Sequence, residues 1–321
     1  MHTDSENNIK LSIIIVTWKV RKLVMECIDS VYKYIELPDN EYEIFVVDNA
    51  SDDGTVTAIQ ERYKDISVIE NTSNVGFGSA NNQVYSECKG EYVLLLNPDT
   101  LLLDNALDLM VDFMDMSEDI SVMGCRLLNE DRSFQRWTAG AFPSLLNVAS
   151  HYLFFNKILP KNHRINSLYI EDDIEYSKNV DWVSGACMII RHSDIGEYIF
   201  DSSFFMYGED MELCYRMKKQ GGLVAYYPAA SVVHYQGKSM EQQEGEILLQ
   251  ALKGPRNFYT SIHGTKFTIL FDFFAVTGFL IRWLIYGVLS LVRQNKEYSK
   301  KMNLSLRHLK TALKVLLKFK N

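Results

Sequence analysis

The feature that most constrains this chain is a regular alternation, over its first 125 residues, between short apolar runs and segments with helical spacing. Residues 11–17 (LSIIIVT) form a run dominated by Ile and Val, and an apolar run this short reads as a strand buried on both faces. Leu23, Val24, Cys27, Ile28, Val31 and Tyr34 then recur as one face of a helix. The same reading predicts strands at 43–47, near 68–69, at 92–96 and around 121–125, with helices at 55–63, 79–88 and 103–116. Strand and helix alternating over short connections mean an α/β fold: a mostly parallel, Rossmann-like central sheet with helices on both faces. Ligands of such sheets sit beyond the carboxyl ends of the strands. Three polar clusters fall there: Thr17-Trp18, Asp48-Asn49 and Asn97-Pro98-Asp99.

Residues 126–180 break the pattern. Aromatics (Phe134, Trp137, Phe142) and then acids (Glu171, Asp172, Asp173, Glu175) read as loops and short helices covering one side of the site. A strand is expected at 182–190. The aromatic loop 204–208 should enter a helix at Gly208-Glu209-Asp210, which stops at Gly221. A strand at 223–227 is then followed by His234.

The last stretch differs in kind. Residues 267–292 are strongly apolar, but Asp272 and Arg282 divide them into pieces shorter than the roughly 20 apolar residues of a simple spanning helix. Beyond them Leu306, Leu309, Leu313 and Leu317 form a helical stripe flanked by Arg307, Lys310, Lys314 and Lys318, the pattern of a helix lying on a membrane surface. From residue 293 onward nine Lys and Arg face one Glu, whereas the rest of the chain holds 24 bases and 40 acids. The tail is therefore expected to meet an anionic membrane surface, with packing on the body or on a second subunit as the alternative; a homo-oligomer stays open. An acidic body argues against nucleic acid as a partner. This reading divides the chain into residues 1–265 and 266–321.

Five scattered cysteines without a C-x-x-C pair fit a reducing compartment and argue against a zinc site. The polar, acid-bearing N-terminus does not read as a signal peptide. Residues 74–81 contain G-x-G-x-x-N, which lacks the third glycine of a dinucleotide fingerprint and follows the third strand instead of the first. No P-loop, G-x-S-x-G elbow or H-E-x-x-H is present.

Two acidic positions carry chemistry. Asp99, in a Pro-bearing turn after a strand, is placed to hold Mg2+ or Mn2+, hard ions that bridge phosphate oxygens; His234 could add a nitrogen ligand. Asp210, at a helix start, would be favoured as the anion by the helix dipole and could act as a general base. Ordinary turn and capping roles would explain each of these residues taken singly.

The ordered set Ile13–Trp18, 46–55 (VVDNASDDGT), 74–78 (NVGFG), 95–99 (LLNPD), 182–186 (WVSGA), 207–210 (YGED) and His234 resembles family 2 glycosyltransferases of the GT-A fold, specifically a bacterial rhamnosyltransferase-like branch. The resemblance implies inverting transfer of a sugar, rhamnose from dTDP-rhamnose or another hexose from a UDP-sugar, to a glycan or lipid-linked acceptor on the cytoplasmic face of the membrane. It implies that Thr17, Asp48 and Asn49 border base and ribose, with Asn74 and Gly76 completing the pocket. Asp99 and His234 would hold the cation, Trp182 and Gly185 would face the sugars, and Asp210 would be the base, with Glu209 supporting it or binding the acceptor. Asn97 stands where the commoner pattern has an acid. A non-catalytic relative would be expected to have lost Asp48, Asp99 or Asp210, and a sugar nucleotidyltransferase would carry an early glycine-rich loop; neither holds here.

Overall fold

The computed structural model describes residues 9–155, 159, 167–235, 244–293 and 295–318, with 244–253 and 318 given by backbone alone. The polar N-terminus (residues 1–8) and the Lys318 side chain therefore lie outside the described part. Two compact units form: Met1–Gly140 with Tyr169–Gln242, and Ala141–Leu168 with Gln243–Asn321. The division expected at 265/266 falls inside the second unit.

In the first unit β1 (Leu11–Thr17) is buried along its whole length. It pairs in parallel with β2 (Tyr42–Asp48) on one side and β4 (Tyr92–Leu96) on the other. Strand β3 (Ser67–Glu70) extends the parallel set beyond β2. Helices α1 (Arg21–Tyr34), α2 (Thr55–Arg62) and α3 (Phe77–Tyr85) connect these strands, and α4 (Ala106–Asp115) follows β4 further along the chain. Val24, Cys27, Ile28 and Val31 of α1 are buried, as their spacing requires. Each such side chain contributes about 1.5–3 kcal/mol of apolar burial.

The remaining strands are β5 (Thr100–Leu102), β6 (Ile120–Leu128), β7 (Ala139–Gly140), β8 (Lys178–Asn179), β9 (Trp182–Val183), β10 (Cys187–Arg191) and β11 (Leu223–His234). The main sheet runs β3-β2-β1-β4-β10-β6-β11-β5, with β8 against β11. Strand β10 is antiparallel to both β4 and β6. The sheet is thus parallel in its first half and mixed in its second, as the GT-A fold is. The chain reverses its direction of winding between β1 and β4, so the carboxyl ends of these strands open the crevice where ligands of α/β sheets sit.

Several expected boundaries move. The helix expected at 103–116 forms as α4 from Ala106 to Asp115, and before it Thr100, Leu101 and Leu102 are taken up by β11 as the unexpected strand β5. The strand expected at 182–190 is split: β9 pairs with β7 in a separate two-stranded sheet, and only β10 joins the main one. Gly124 of β6 permits this crossing, since a Cβ there would stand 2.6 Å from the Val183 Cβ. Strand β11 continues past Pro228 to His234 through a register shift between Tyr227 and Ser231, which absorbs the missing N–H. His234 is therefore the last residue of a strand, not a residue beyond one.

The second unit is helical: α5 (Leu145–Leu153), α7 (Glu244–His263), α8 (Thr265–Arg293) and α9 (Lys296–Lys318), α6 being Glu209–Lys219 of the first unit. Helix α8 is continuous through Asp272 and Arg282, the two charges that divide its apolar run. Asp272 accepts two hydrogen bonds from Arg256, at 2.7 and 2.9 Å, and Arg282 donates to the carbonyls of His151 and Tyr152. Their charge is met inside the unit, so the helix need not break. By length and composition α8 is apolar enough to cross a membrane. The leucine stripe of α9 is divided: Leu309 is buried, whereas Leu313 and Leu317 are exposed.

Candidate active site

Three groups of residues meet at the carboxyl edge of the first unit's sheet. The first lies over β1 and β2. Thr17 ends β1 in register with Asp48, and its buried Oγ1 has no partner. Asp48 accepts from the Ser51 backbone N–H at 2.9 Å and the Ser51 hydroxyl at 2.5 Å, which closes a tight turn. A polar cleft of about 340 Å³ opens beside it, lined by Asp48, Ser51, Asp52, Thr55 and Glu70 among others. Asn49 fastens three segments at once: its N–H donates to the Thr17 carbonyl, its Nδ2 to the Gly76 carbonyl at 3.3 Å, and its Oδ1 accepts from Asn71. The Asn74 side chain accepts from the Gly76 N–H and so shapes the turn that enters α3. Asn49 and Asn74 are thus primarily builders of the pocket wall.

The second group lies at the ends of β4 and β11. Pairing of Thr100 with His234 brings the turn Asn97-Pro98-Asp99 against the end of β11, and Tyr235 N–H donates to the Asp99 carbonyl. Asp99 Oδ1 and His234 Nε2 stand 3.4 Å apart, both largely buried. Asn97 Nδ2 lies 3.3 Å from the same Nε2. One carboxylate and one imidazole suit a divalent cation that takes its other ligands from a diphosphate, the usual way such ions bind in phosphate-handling sites. Among the described residues no cluster of three or more His, Cys, Asp and Glu side chains converges, so the donor set fits an ion shared with substrate and not a closed protein cage.

The third group enters with α6. Gly208, at φ 101°, turns the chain into this helix, and Glu209 and Asp210 occupy its first turn. Burial raises the Asp210 pKa above the ordinary carboxylate range, against the opposing pull of the Met211, Gly185 and Gly208 backbone N–H groups. Burial and then the charge of Asp210 raise Glu209 further, and its Oε2 has no hydrogen-bond partner. The pair therefore favours a state with one negative charge, carried by Asp210. A Cβ on Gly185 would lie 3.9 Å from the Asp210 Cβ, so this glycine keeps space open beside the carboxylate.

The groups are joined. Asn97 N–H donates to the Ala186 carbonyl at 2.9 Å, which sets the cation turn against the Gly185 segment. Phe77 N–H donates to the Phe205 carbonyl, tying the Gly76 turn to the loop before Asp210. The Tyr207 hydroxyl, raised to about 12 mainly by burial, feels the charges of Glu209, Asp99 and Asp210 together. Asp99 and the Glu209–Asp210 pair therefore lie within electrostatic reach of one hydroxyl.

Trp182 lies differently from a sugar-facing residue: it is buried, edge-on to Tyr169 at 5.8 Å. Tyr169, raised to about 12 by burial and by Asp210, in turn contacts Trp137, whose ring is 54% exposed. Trp137 and Gln135, which holds His234, both fall in the irregular stretch where no periodicity marks a residue as functional. The aromatic content around Trp137 was the only available signal.

The parallel half-sheet, continued by antiparallel β10 and by the mixed β6, β11 and β5, is the GT-A arrangement. Residues 12–198, more than half of the chain, match the family described as glycosyl transferase family 2, and the chain belongs to it. It is 27% identical over 281 residues to the N-acetylglucosaminyl-diphospho-decaprenol L-rhamnosyltransferase of Mycobacterium tuberculosis, covering 82% of this chain and 87% of that one. It is 30% identical over 207 residues to rhamnosyltransferase WbbL of Escherichia coli, covering 61% and 74%. Among solved structures, the mannosyltransferase PcManGT from Pyrobaculum calidifontis in complex with GDP-Man and Mn2+ superposes with a TM-score of 0.63 at 15% identity, covering 97% and 88%, a likeness of fold.

Proposed function

We propose that this chain is an inverting, divalent-metal-dependent hexosyltransferase that moves rhamnose from dTDP-rhamnose to a hydroxyl of a lipid-linked glycan acceptor during cell-surface polysaccharide synthesis. The observation that supports the chemistry is that Asp99, Glu209 and Asp210 all act electrostatically on the Tyr207 hydroxyl. The choice of rhamnose is supported by the activities named for the mycobacterial and Escherichia coli relatives, and that of a lipid-linked acceptor by the mycobacterial one.

In this reading Thr17, Asp48 and the wall built by Asn49, Asn74 and Gly76 hold the nucleoside. Asp210 accepts the proton of the acceptor hydroxyl as its oxygen bonds to the anomeric carbon, while the bond from that carbon to the diphosphate breaks on the opposite face. Asp99 and His234 would hold Mg2+ or Mn2+, which supplies positive charge to the departing diphosphate. Glu209, kept protonated, leaves Asp210 as the single anion of the pair. Gly185 leaves room for the sugar, and Trp137 offers an exposed ring to the acceptor.

The helical unit is the part we assign to the inner face of the cell membrane, where it lies peripherally. Phe267, Leu270, Phe273, Leu284 and Val288 of α8 are exposed, and Lys300, Lys301, Lys310 and Lys314 of α9 are exposed with them, the combination that binds anionic lipid.

The test is thermal stabilisation against a panel of nucleotide sugars with and without Mn2+ or Mg2+, followed by product analysis. Ligand bound only by the folded state raises Tm with its affinity and concentration. Stabilisation by dTDP-rhamnose that requires the cation is expected; a UDP-sugar preferred over it would replace the donor, and stabilisation indifferent to EDTA would remove the metal.

A further inference from the structure

His234 is gripped from behind by a side chain that touches no candidate substrate. Gln135 is buried, and its Oε1 lies 2.8 Å from His234 Nδ1 while its Nε2 donates to the His234 carbonyl at 3.1 Å. The orientation of this amide is set by bonding alone. Its Nε2 also donates to Asn129 Oδ1 at 3.2 Å, and the Asn129 amide is itself oriented by Nδ2 donating to the Ser133 hydroxyl and the Phe134 carbonyl. With two carbonyl-type oxygens facing the nitrogen end of Gln135, its oxygen end must face the imidazole. An amide oxygen only accepts, so Nδ1 must carry the hydrogen.

On the other side of the ring Nε2 meets both the Asn97 amide, at 3.3 Å, and the Asp99 carboxylate, at 3.4 Å, so the Gln135 contact decides the tautomer. Asn97 Nδ2, a donor, can bond there only to a lone pair. An aspartate at position 97 could not make that bond.

We propose that Gln135 is a positioning residue that fixes His234 as the Nδ1–H tautomer and thereby presents the Nε2 lone pair toward Asp99. The proposal rests on the reading of Asp99 and His234 as the cation's ligands. Partners of this kind, behind a ligating imidazole, typically alter metal affinity 10–100-fold when removed.

Two measurements separate this proposal from the reading beneath it. The first is nitrogen-15 NMR of the histidine rings in the metal-free protein at about pH 8, where an ordinary imidazole is neutral. A His234 ring with hydrogen on Nδ1 and a pyridine-type Nε2 is expected; hydrogen on Nε2 in the unaltered protein overturns the proposal, whether or not any variant folds. The second is Mn2+ affinity in the presence of dTDP, read from the free-ion EPR signal. Gln135→Met keeps the volume and removes the acceptor, so it should mix the tautomers and weaken Mn2+ about 10–100-fold. Unchanged Mn2+ affinity in Gln135→Met overturns the proposal. If the unaltered protein takes up no Mn2+ while the Nδ1–H tautomer is observed and lost in Gln135→Met, the metal reading falls and the positioning role stands.

Discussion

Gly76 lies against the Phe205 carbonyl so closely that a Cβ on it would stand 2.7 Å from that oxygen. Its φ of +89° is also one that side chains other than glycine's rarely adopt. One residue therefore fixes the distance between the turn over the nucleoside pocket and the loop that delivers Asp210. Gly76→Ala is expected to displace one of the two, lowering stability by about 1–3 kcal/mol and lowering kcat as well as weakening donor binding. Donor titration and steady-state kinetics on the same preparation check this; wild-type kcat in a folded variant would show that the two segments move independently.

The Glu209–Asp210 pair makes two pH statements. Both carboxyls are raised above their ordinary values, first by burial. A base must be deprotonated to act, so the acid limb of the kcat profile should lie above pH ~4, where an exposed carboxylate would place it. Asp210→Asn should reduce kcat about 10²–10⁴-fold while donor-induced stabilisation persists. For stability the sign is opposite to that of a salt-bridged acid. The native state holds the Glu209 proton more tightly than the unfolded chain, so its contribution is intact below the unfolded value and is lost as pH rises through the folded one. The Tm difference between Glu209→Gln and the parent should therefore shift in favour of the glutamine between pH ~4 and ~8; a difference flat across that window contradicts the burial of a charged Glu209.

Trp137 is exposed beside Tyr169, within reach of the charge on Asp210 through that neighbour. Replacing it with alanine removes the buried half of the side chain and its contact with Tyr169, so a loss of about 1–2 kcal/mol in stability is expected. The acceptor KM should rise about tenfold, equivalent to about 1.4 kcal/mol, with the donor KM unchanged. An equal rise in both would mean that the ring supports the whole crevice and not the acceptor.

Asp272 and Arg256 are both buried and joined by two hydrogen bonds. Asp272→Ala leaves a buried guanidinium without its counter-charge, a loss of about 3–5 kcal/mol. The double change Arg256→Met with Asp272→Leu should recover most of it. Urea unfolding followed by far-UV circular dichroism checks both variants, and a single variant as stable as the parent would mean that water reaches Arg256.

The local steps of this fold were readable in order. Periodicity located β1, β2, β4 and α1, and a glycine before two acids located the start of α6, because these depend on residues within a turn or two of one another. The ordered motifs put Thr17, Asp48, Asp99 and Asp210 at element ends. The apolar character of α8 was legible, but what meets its charges was not, because the partners of Asp272 and Arg282, Arg256 and the carbonyls of His151 and Tyr152, come from other helices.

What the sequence determined was which residues end the strands and open the helices. What the tertiary structure decided was which of those ends meet: β10 entering antiparallel between β4 and β6, Thr100 pairing with His234, and Gln135 reaching the far side of the imidazole. Local preferences arise from neighbours along the chain, but a pairing between residues more than 130 positions apart is selected by the sheet as a whole, and no period in the sequence encodes it.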